Sequence, residues 1–293
     1  MQEIVEQITG EGLSTCGTEV IYLVSVASQI KRVRELNPAT QEFEITGEFD
    51  PATASDEDVP EAYAEAREDV ATGYRVIVAE GVTSWQIVEA LKASDLFEGD
   101  VAEVPAEGTL APDGYEIRPG EDRTAFLERM SELQAQRLAT AWENRSDRIQ
   151  VETPEEALIL ASIIEKETAI AEERGLVASV FTNRLRQGIK LQTDPTVIYG
   201  VTEGKGVLGR GIRQSELRRE TPWNTYVIDG LPITPIANPG RASIEAALNP
   251  EESDFIYFVA KSLDPRDGHN FAVTLDEHNR NVAAYRALER ANE

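Results

Sequence analysis

The apolar positions of this chain change period several times, and each change marks an element. Residues 1–10 (MQEIVEQITG) have helical spacing and stop at Gly10. Residues 20–25 and 43–46 run apolar or alternate, which predicts strands. Residues 48–72 are acidic, hold two prolines and few large apolar groups, and predict a surface connection that turns helical after Pro60. Residues 74–79 (YRVIVA) predict a strand. Thr83 and Gln86 then make a capping box for a helix carrying Ile87, Val88 and Leu91 on one side. Residues 103–121 are rich in Pro and Gly and predict an ordered loop with a short strand at 115–118. A helix with Phe126, Met130 and Leu133 on one face follows, to about Trp142.

The clearest helix start is Thr153–Pro154–Glu155–Glu156, with Thr as cap, Pro at the first helical position and Glu completing a box. It predicts a helix over 154–173 and a domain boundary near 145–152. Helices are expected next at 175–187, 242–248 and 276–291, strands at 255–260 and 271–274, and irregular chain over 188–240. The pattern as a whole predicts an α+β protein with a small strand–helix region in 1–150 and a larger mixed α/β domain in 151–293.

Charge narrows the function classes. Lys and Arg number 28 against 53 Asp and Glu, a formal net charge of −25. Residues 1–150 carry most of it, with 31 acidic against 12 basic side chains. A nucleic-acid binder needs the opposite balance, so no nucleic-acid partner is expected. The plain reading of the excess is a solvated acidic surface. Cys16 is the single cysteine, and His269 and His278 are the two histidines, so no zinc site and no intrachain disulfide are expected. The longest apolar run, 20–27, is far short of the ~18 residues of a membrane span, and no signal peptide is recognisable at Met1.

Candidate chemistry gathers in three places. Residues 157–164 (ALILASII) are apolar on nearly every side, and Glu165, Lys166 and Glu167 follow without a break. A carboxyl group carried into such surroundings is desolvated, its pKa rises, and it can serve as a general acid. The alternative is a helix end emerging into water. Two acids two residues apart project about 200° apart, so the glutamates are not expected to act as a pair. Residues 191–200 (LQTDPTVIYG) pack Gln192, Thr193, Asp194, Thr196 and Tyr199 around a proline, which suits a hydroxyl-rich ligand or an Asp-Pro turn entering a short helix. Residues 221–240 hold Trp223, Asn224 and Tyr226 in a proline-stiffened loop, either a carbohydrate-lining segment or a rigid surface loop. His269 sits in GHNF, but no GxSxG elbow accompanies it. His278 reads as a surface residue of the last helix.

Taken together, LILASIIEKET, LQTDPTVIYG, TPWNTYVIDGLPITPIANPG and FIYFVAKSLDPRDGHNF resemble the endolytic murein transglycosylase family, the YceG-like proteins, over about residues 155–285. VIVAEGVTSWQIVEAL resembles the LysM-like region of that family. The resemblance implies an enzyme that cuts the β-1,4 bond between N-acetylmuramic acid and N-acetylglucosamine inside murein strands, leaving a 1,6-anhydro end and using no cofactor or metal. It gives the catalytic role to the first Glu of ASIIEKET, Glu165. It puts Glu167, Gln192, Thr193, Asp194, Thr196, Tyr199, Asn224, Tyr226 and His269 along the glycan groove. A water-using muramidase and a non-enzymatic murein-binding scaffold are the alternatives. The resemblance further implies attachment to the inner membrane with this part in the periplasm, and peptidoglycan synthases as partners. Members of the family usually begin with a membrane helix, which these residues lack, so a shortened N-terminus is expected.

Overall fold

The computed structural model describes residues 17–292. The helix expected at 1–10, and Cys16, lie outside the described residues. The fold is α+β. It divides into two compact units, each discontinuous in sequence. Among the described residues, the first takes those up to Ala79, with Ile87–Ala102 and Asp113–Phe126; the second takes Glu80–Gln86, Glu103–Pro112 and those from Leu127 on. This division does not fall at the boundary drawn near 150, because the long helix after 126 already belongs to the second unit. There Met130 accepts the Ala111 N–H at 3.1 Å, and Gln134 Nε2 donates to Gly108 O and Pro239 O at 3.2 and 2.9 Å.

The first unit is built on β1 (Thr18–Val24), β2 (Gln29–Asn37), β3 (Glu42–Phe49), α1 (Glu61–Glu68), β4 (Gly73–Val78), α2 (Ser84–Ala93, from Ile87 onward), β5 (Phe97–Glu98), β6 (Gly114–Ile117) and β7 (Glu121–Asp122). Five strands form one sheet in the order β3-β2-β1-β4-β6, with β1 and β4 parallel and the other neighbours antiparallel. Ile87, Val88 and Leu91 of α2 are fully buried, as their spacing requires. Tyr22 OH donates to Ala90 O at 2.7 Å.

Strand β2 (QIKRVRELN) has no apolar alternation to announce it. Its inward positions include Lys31, 1% exposed, whose ammonium bonds Asp95 and, at 3.2 Å, Tyr63 OH. The rings of Tyr22, Phe49 and Tyr63 lie 5.1–5.7 Å from the charge. Burial lowers the Lys31 pKa, and the Asp95 carboxylate opposes that. Lys31 thus fills an apolar place with its stem and meets a half-exposed acid with its head. Because Asp95 stays hydrated without it, Lys31→Met is expected to change stability by no more than about 1 kcal/mol, whereas Lys31→Ala leaves a void and costs about 2–4. Urea unfolding of both variants checks this; equal losses would refute the packing account.

The second unit holds α3 (Arg123–Glu143, from Leu127 onward), α4 (Pro154–Glu167), α5 (Arg174–Gln187), α6 (Asp194–Thr202), α7 (Gln214–Leu217), α8 (Arg241–Leu248), the hairpin β8 (Tyr257–Ala260) and β9 (His269–Ala272), and α9 (Leu275–Asn292). Helix α4 is its axis. Every residue from Ala157 to Ile164 is buried, against Val177 and Phe181 of α5 and Ile244 and Leu248 of α8. Thr153 accepts the Glu156 N–H as expected, but Glu156 reaches back to the Glu152 N–H (2.7 Å) instead of closing the box on Thr153. Among the described residues no helix is long and apolar enough to cross a membrane.

Candidate active site

Helix α4 ends at Glu167, not at 173. Thr168 turns extended (φ −144°, ψ 132°), its hydroxyl accepts the Ile170 N–H at 3.0 Å, and a single 3-10 turn leads into α5. Glu165, Lys166 and Glu167 therefore occupy the last helical turn. The carbonyl end of the helix dipole disfavours negative charge there.

The two glutamates serve different surroundings. Glu165 Oε2 accepts the Gly240 N–H at 2.9 Å. That amide is set in place from within the unit. Ser162 Oγ accepts the Ile236 N–H (3.0 Å), and buried Asn238 exchanges bonds with Val82 O and the Leu110 N–H. A Cβ at Gly240 would lie 1.7 Å from Glu80 Oε1, so a larger residue there would require the Glu80 side chain to move. On the same side, Lys166 Nζ donates to Gly81 O at 3.2 Å, and burial lowers its pKa. Glu107 accepts from Ser84 N–H (2.8 Å) and Tyr199 OH (3.1 Å), and burial raises its pKa.

Glu167 turns the other way and lines a cavity of about 700 Å³, a size usual for ligand sites. It accepts a short hydrogen bond from Thr193 Oγ1. Burial pushes its pKa up to about 7; the charge of Asp194 adds to the rise, while the Thr193 hydroxyl and Arg184 act against it. A carboxyl group poised there is half protonated at neutral pH. Ionisation is therefore harder in the folded protein than in the unfolded chain, where a Glu titrates near 4.3. The stability contributed by the protonated group is complete below that value, falls as pH rises from about 4.5 to 7, and is lost above. The loss amounts to about 3 kcal/mol. Glu167→Gln does not ionise, so its stability relative to the parent is expected to improve by that amount between pH 4 and pH 8. Urea midpoints at the two pH values test this; an unchanged difference would contradict it.

The other residues singled out in the sequence separate by role. Gln192, Thr193, Asp194 and Tyr226 line the cavity with Glu167. Tyr226 OH donates to Asp194 Oδ1 at 2.6 Å. Gln192 holds a left-handed backbone (φ 51°) and donates its N–H to Thr225 O. Thr196, fully buried, donates to Thr193 O (2.7 Å) and fixes the cavity rim from behind. Asn224 is also buried; its Nδ2 ties the carbonyls of Glu216, Leu217 and Arg219. Tyr199 belongs with Glu107, its ring edge-on to Trp223. His269 donates its N–H to Glu173 Oε1 (2.9 Å) and sets Nδ1 against Oε2 (2.7 Å). Burial raises the Glu173 pKa, but these bonds and Lys261 outweigh it and the net direction is down. Thr196, Tyr199, Asn224 and His269 are not among the cavity-lining residues.

Sequence reasoning passed over Arg184, Tyr257, His278 and Arg286, which also line the cavity. His278 is not the surface residue its helix suggested. It stacks on Tyr257 with ring centroids 4.9 Å apart, and burial with the nearby Arg184 charge lowers its pKa. Arg184 sits in a run, NRLRQ, that reads as an ordinary polar helix end. Only the buried Asn183 beside it, donating to Ser253 O and Phe255 O, hints that this face turns inward.

The fold is thus an α+β protein in which a helical axis ends in a glutamate of raised pKa beside a cavity lined by polar and aromatic side chains. The profile of the YceG-like family matches residues 26–284, and the chain belongs to that family. It is 34% identical over 193 residues to the endolytic murein transglycosylase of Bacillus subtilis strain 168, covering 66% of this chain and 51% of that protein. It is 32% identical over 186 residues to the protein of the same name from Streptococcus pneumoniae D39, covering 61% of this chain and 32% of that one. The chain thus spans about half or less of the length of these relatives. A 2.6 Å crystal structure of a putative YceG-like protein from Listeria monocytogenes superposes with a TM-score of 0.59 at 28% identity, over 70% of this chain and 75% of that one.

Proposed function

We propose that this chain cleaves murein glycan strands internally as a lytic transglycosylase, with Glu167 as its general acid. The observation that carries the reading is the half-buried Glu167 carboxyl, its pKa pushed up to about 7, on a cavity lined by polar and aromatic side chains. The names of the relatives support murein as substrate. The sequence resemblance gives the acid role to Glu165. What favours Glu167 is its place on the cavity with Thr193, Asp194 and Tyr226, whereas Glu165 turns to the Gly240 amide.

In the reaction, protonated Glu167 donates to the glycosidic oxygen as the C1–O bond breaks. The C6 hydroxyl of the same muramic acid attacks C1 and closes a 1,6-anhydro ring, and its proton passes to the Glu167 carboxylate. One carboxyl group suffices because the nucleophile belongs to the substrate. We further propose action outside the cytoplasm, attachment to the inner membrane, a role in cell-wall growth, and murein synthases as partners.

One observation favours a second reading. Asp194 lines the same cavity, and its charge is felt at Glu167. A second carboxylate could activate a water and leave a reducing end, as in a muramidase. Mass spectrometry of products from purified murein decides between them. Anhydro-muropeptides are expected; reducing ends would establish hydrolysis, and binding with no cleavage under any condition would leave a scaffold role.

A further inference from the structure

The cavity is lined by two chemically unlike sets of residues. One is Glu167 and Asp194, where α4 ends and α6 begins. The other is Arg184 of α5, Tyr257 of β8, and a stripe along α9 at Leu275, Asn279, Val282 and Arg286. These α9 positions recur every three to four residues, so one helix face is turned to the cavity.

Arg184 is the unusual member. It is 8% exposed, and the protein fixes two of its three nitrogens: Nε donates to Ile256 O (2.6 Å), and Nη1 donates to Lys190 O and Leu191 O (3.1 and 2.9 Å). Its Cζ lies over the Tyr257 ring, 5.3 Å from the centroid. Among the described residues Nη2 has no acceptor, and no carboxylate lies within ion-pair distance of the guanidinium. Glu167 is near enough for its charge to act on Arg184 without forming an ion pair, and the free edge of the rigid guanidinium fork suits a planar oxyanion. Arg286, also without an ion-pair partner among the described residues, brings a second guanidinium to the same set.

We infer that Arg184 and Arg286, with the Asn279 amide, form a subsite for a carboxylate on a peptide substituent of the glycan. The inference rests on the proposed glycan-cleaving role of this cavity. A murein strand without stems carries only the lactyl carboxylate of each muramic acid, close to the sugar ring. A polyanion would also meet Glu167 and Asp194, which line the same cavity. A single carboxylate carried some way from the sugar ring meets the cations and avoids the acids. The peptide stems of murein supply such a group, and Asn279 can read an amide beside it.

The experiment compares murein strands bearing peptide stems with the same strands stripped of them by an amidase, which keep only the lactyl carboxylate beside the ring, for the parent and for Arg286→Gln. Arg286 is exposed and makes no hydrogen bond among the described residues, so this variant is expected to fold. The parent should show kcat/KM about tenfold higher on peptide-bearing strands, and the variant should lose that ratio through KM, with Arg286→Lys in between. A parent without preference, or a variant that keeps the ratio, overturns the subsite. Sedimentation binding to both substrates is read in parallel. If the parent cuts neither substrate but binds peptide-bearing strands more tightly, and Arg286→Gln abolishes that difference, the subsite stands and the cleavage reading falls.

Discussion

Glu167→Gln is expected to reduce murein cleavage by at least about 10³-fold, with Glu165→Gln retaining most of the parent rate. The amide keeps the size of the side chain and can still accept from Thr193 Oγ1. What it lacks is a transferable proton, and general acid catalysis is worth about 10²–10⁴. With a departing sugar alkoxide to protonate, the upper part of that range is expected. The effect should fall on kcat more than on KM, because the proton moves only as the bond breaks. The parent's pH profile should carry the same signature. Activity depends on the protonated form, so it should decline as pH rises through about 7. The reverse result, loss only in Glu165→Gln, would return the acid to the residue named by resemblance and make the Gly240 side the reaction centre. Equal loss in both would mean that the last turn of α4 acts as one unit.

The second large effect concerns stability. Phe181→Ala should destabilise the second unit by about 3–5 kcal/mol. The ring is 1% exposed, belongs to the core around Leu160, Ile163 and Ile164, and meets Phe258 edge-on at 5.9 Å. It also floors the cavity, so no other side chain is free to fill the space from that side. Trp142 and Trp223 pack against this core, and their fluorescence reports its unfolding in urea. A loss below about 1 kcal/mol would mean that the core collapses onto the gap, and that the cavity floor is softer than its burial indicates.

Periodicity was a good guide wherever one face of an element is apolar and the other wet. It located β1, β4, α2, α8 and α9 to within a few residues, because burial of Ile87, Val88 and Leu91 or of Ile244 and Leu248 is all those elements require. It failed at β2, where Lys31 takes an apolar place with its stem. It also overran the end of α4, because the backbone turns at Thr168 with no Gly or Pro to announce it. At the site, the run ASIIEKET reads either as a desolvated acidic turn or as a helix end emerging into water, and the opposed directions of its two glutamates follow from helical geometry. Which glutamate meets the cavity was not legible, since that depends on what α6 and α9 bring to either side. Arg184 was hidden for a related reason. Its counterpart groups are backbone carbonyls at 190, 191 and 256, and a sequence displays no carbonyl as special.

Because both carboxylates are borne by one turn of a buried helix, their assignments depend on angular phase. Removing a single residue from 157–164 would rotate the turn by about 100° and aim neither acid at its present neighbour. Removing two would rotate it by about 200° and swing Glu167 towards the side now held by Glu165. Substitutions inside that apolar stretch can be absorbed by repacking, but a change in its length cannot. The length of a segment that touches no ligand thus sets which proton reaches the cavity.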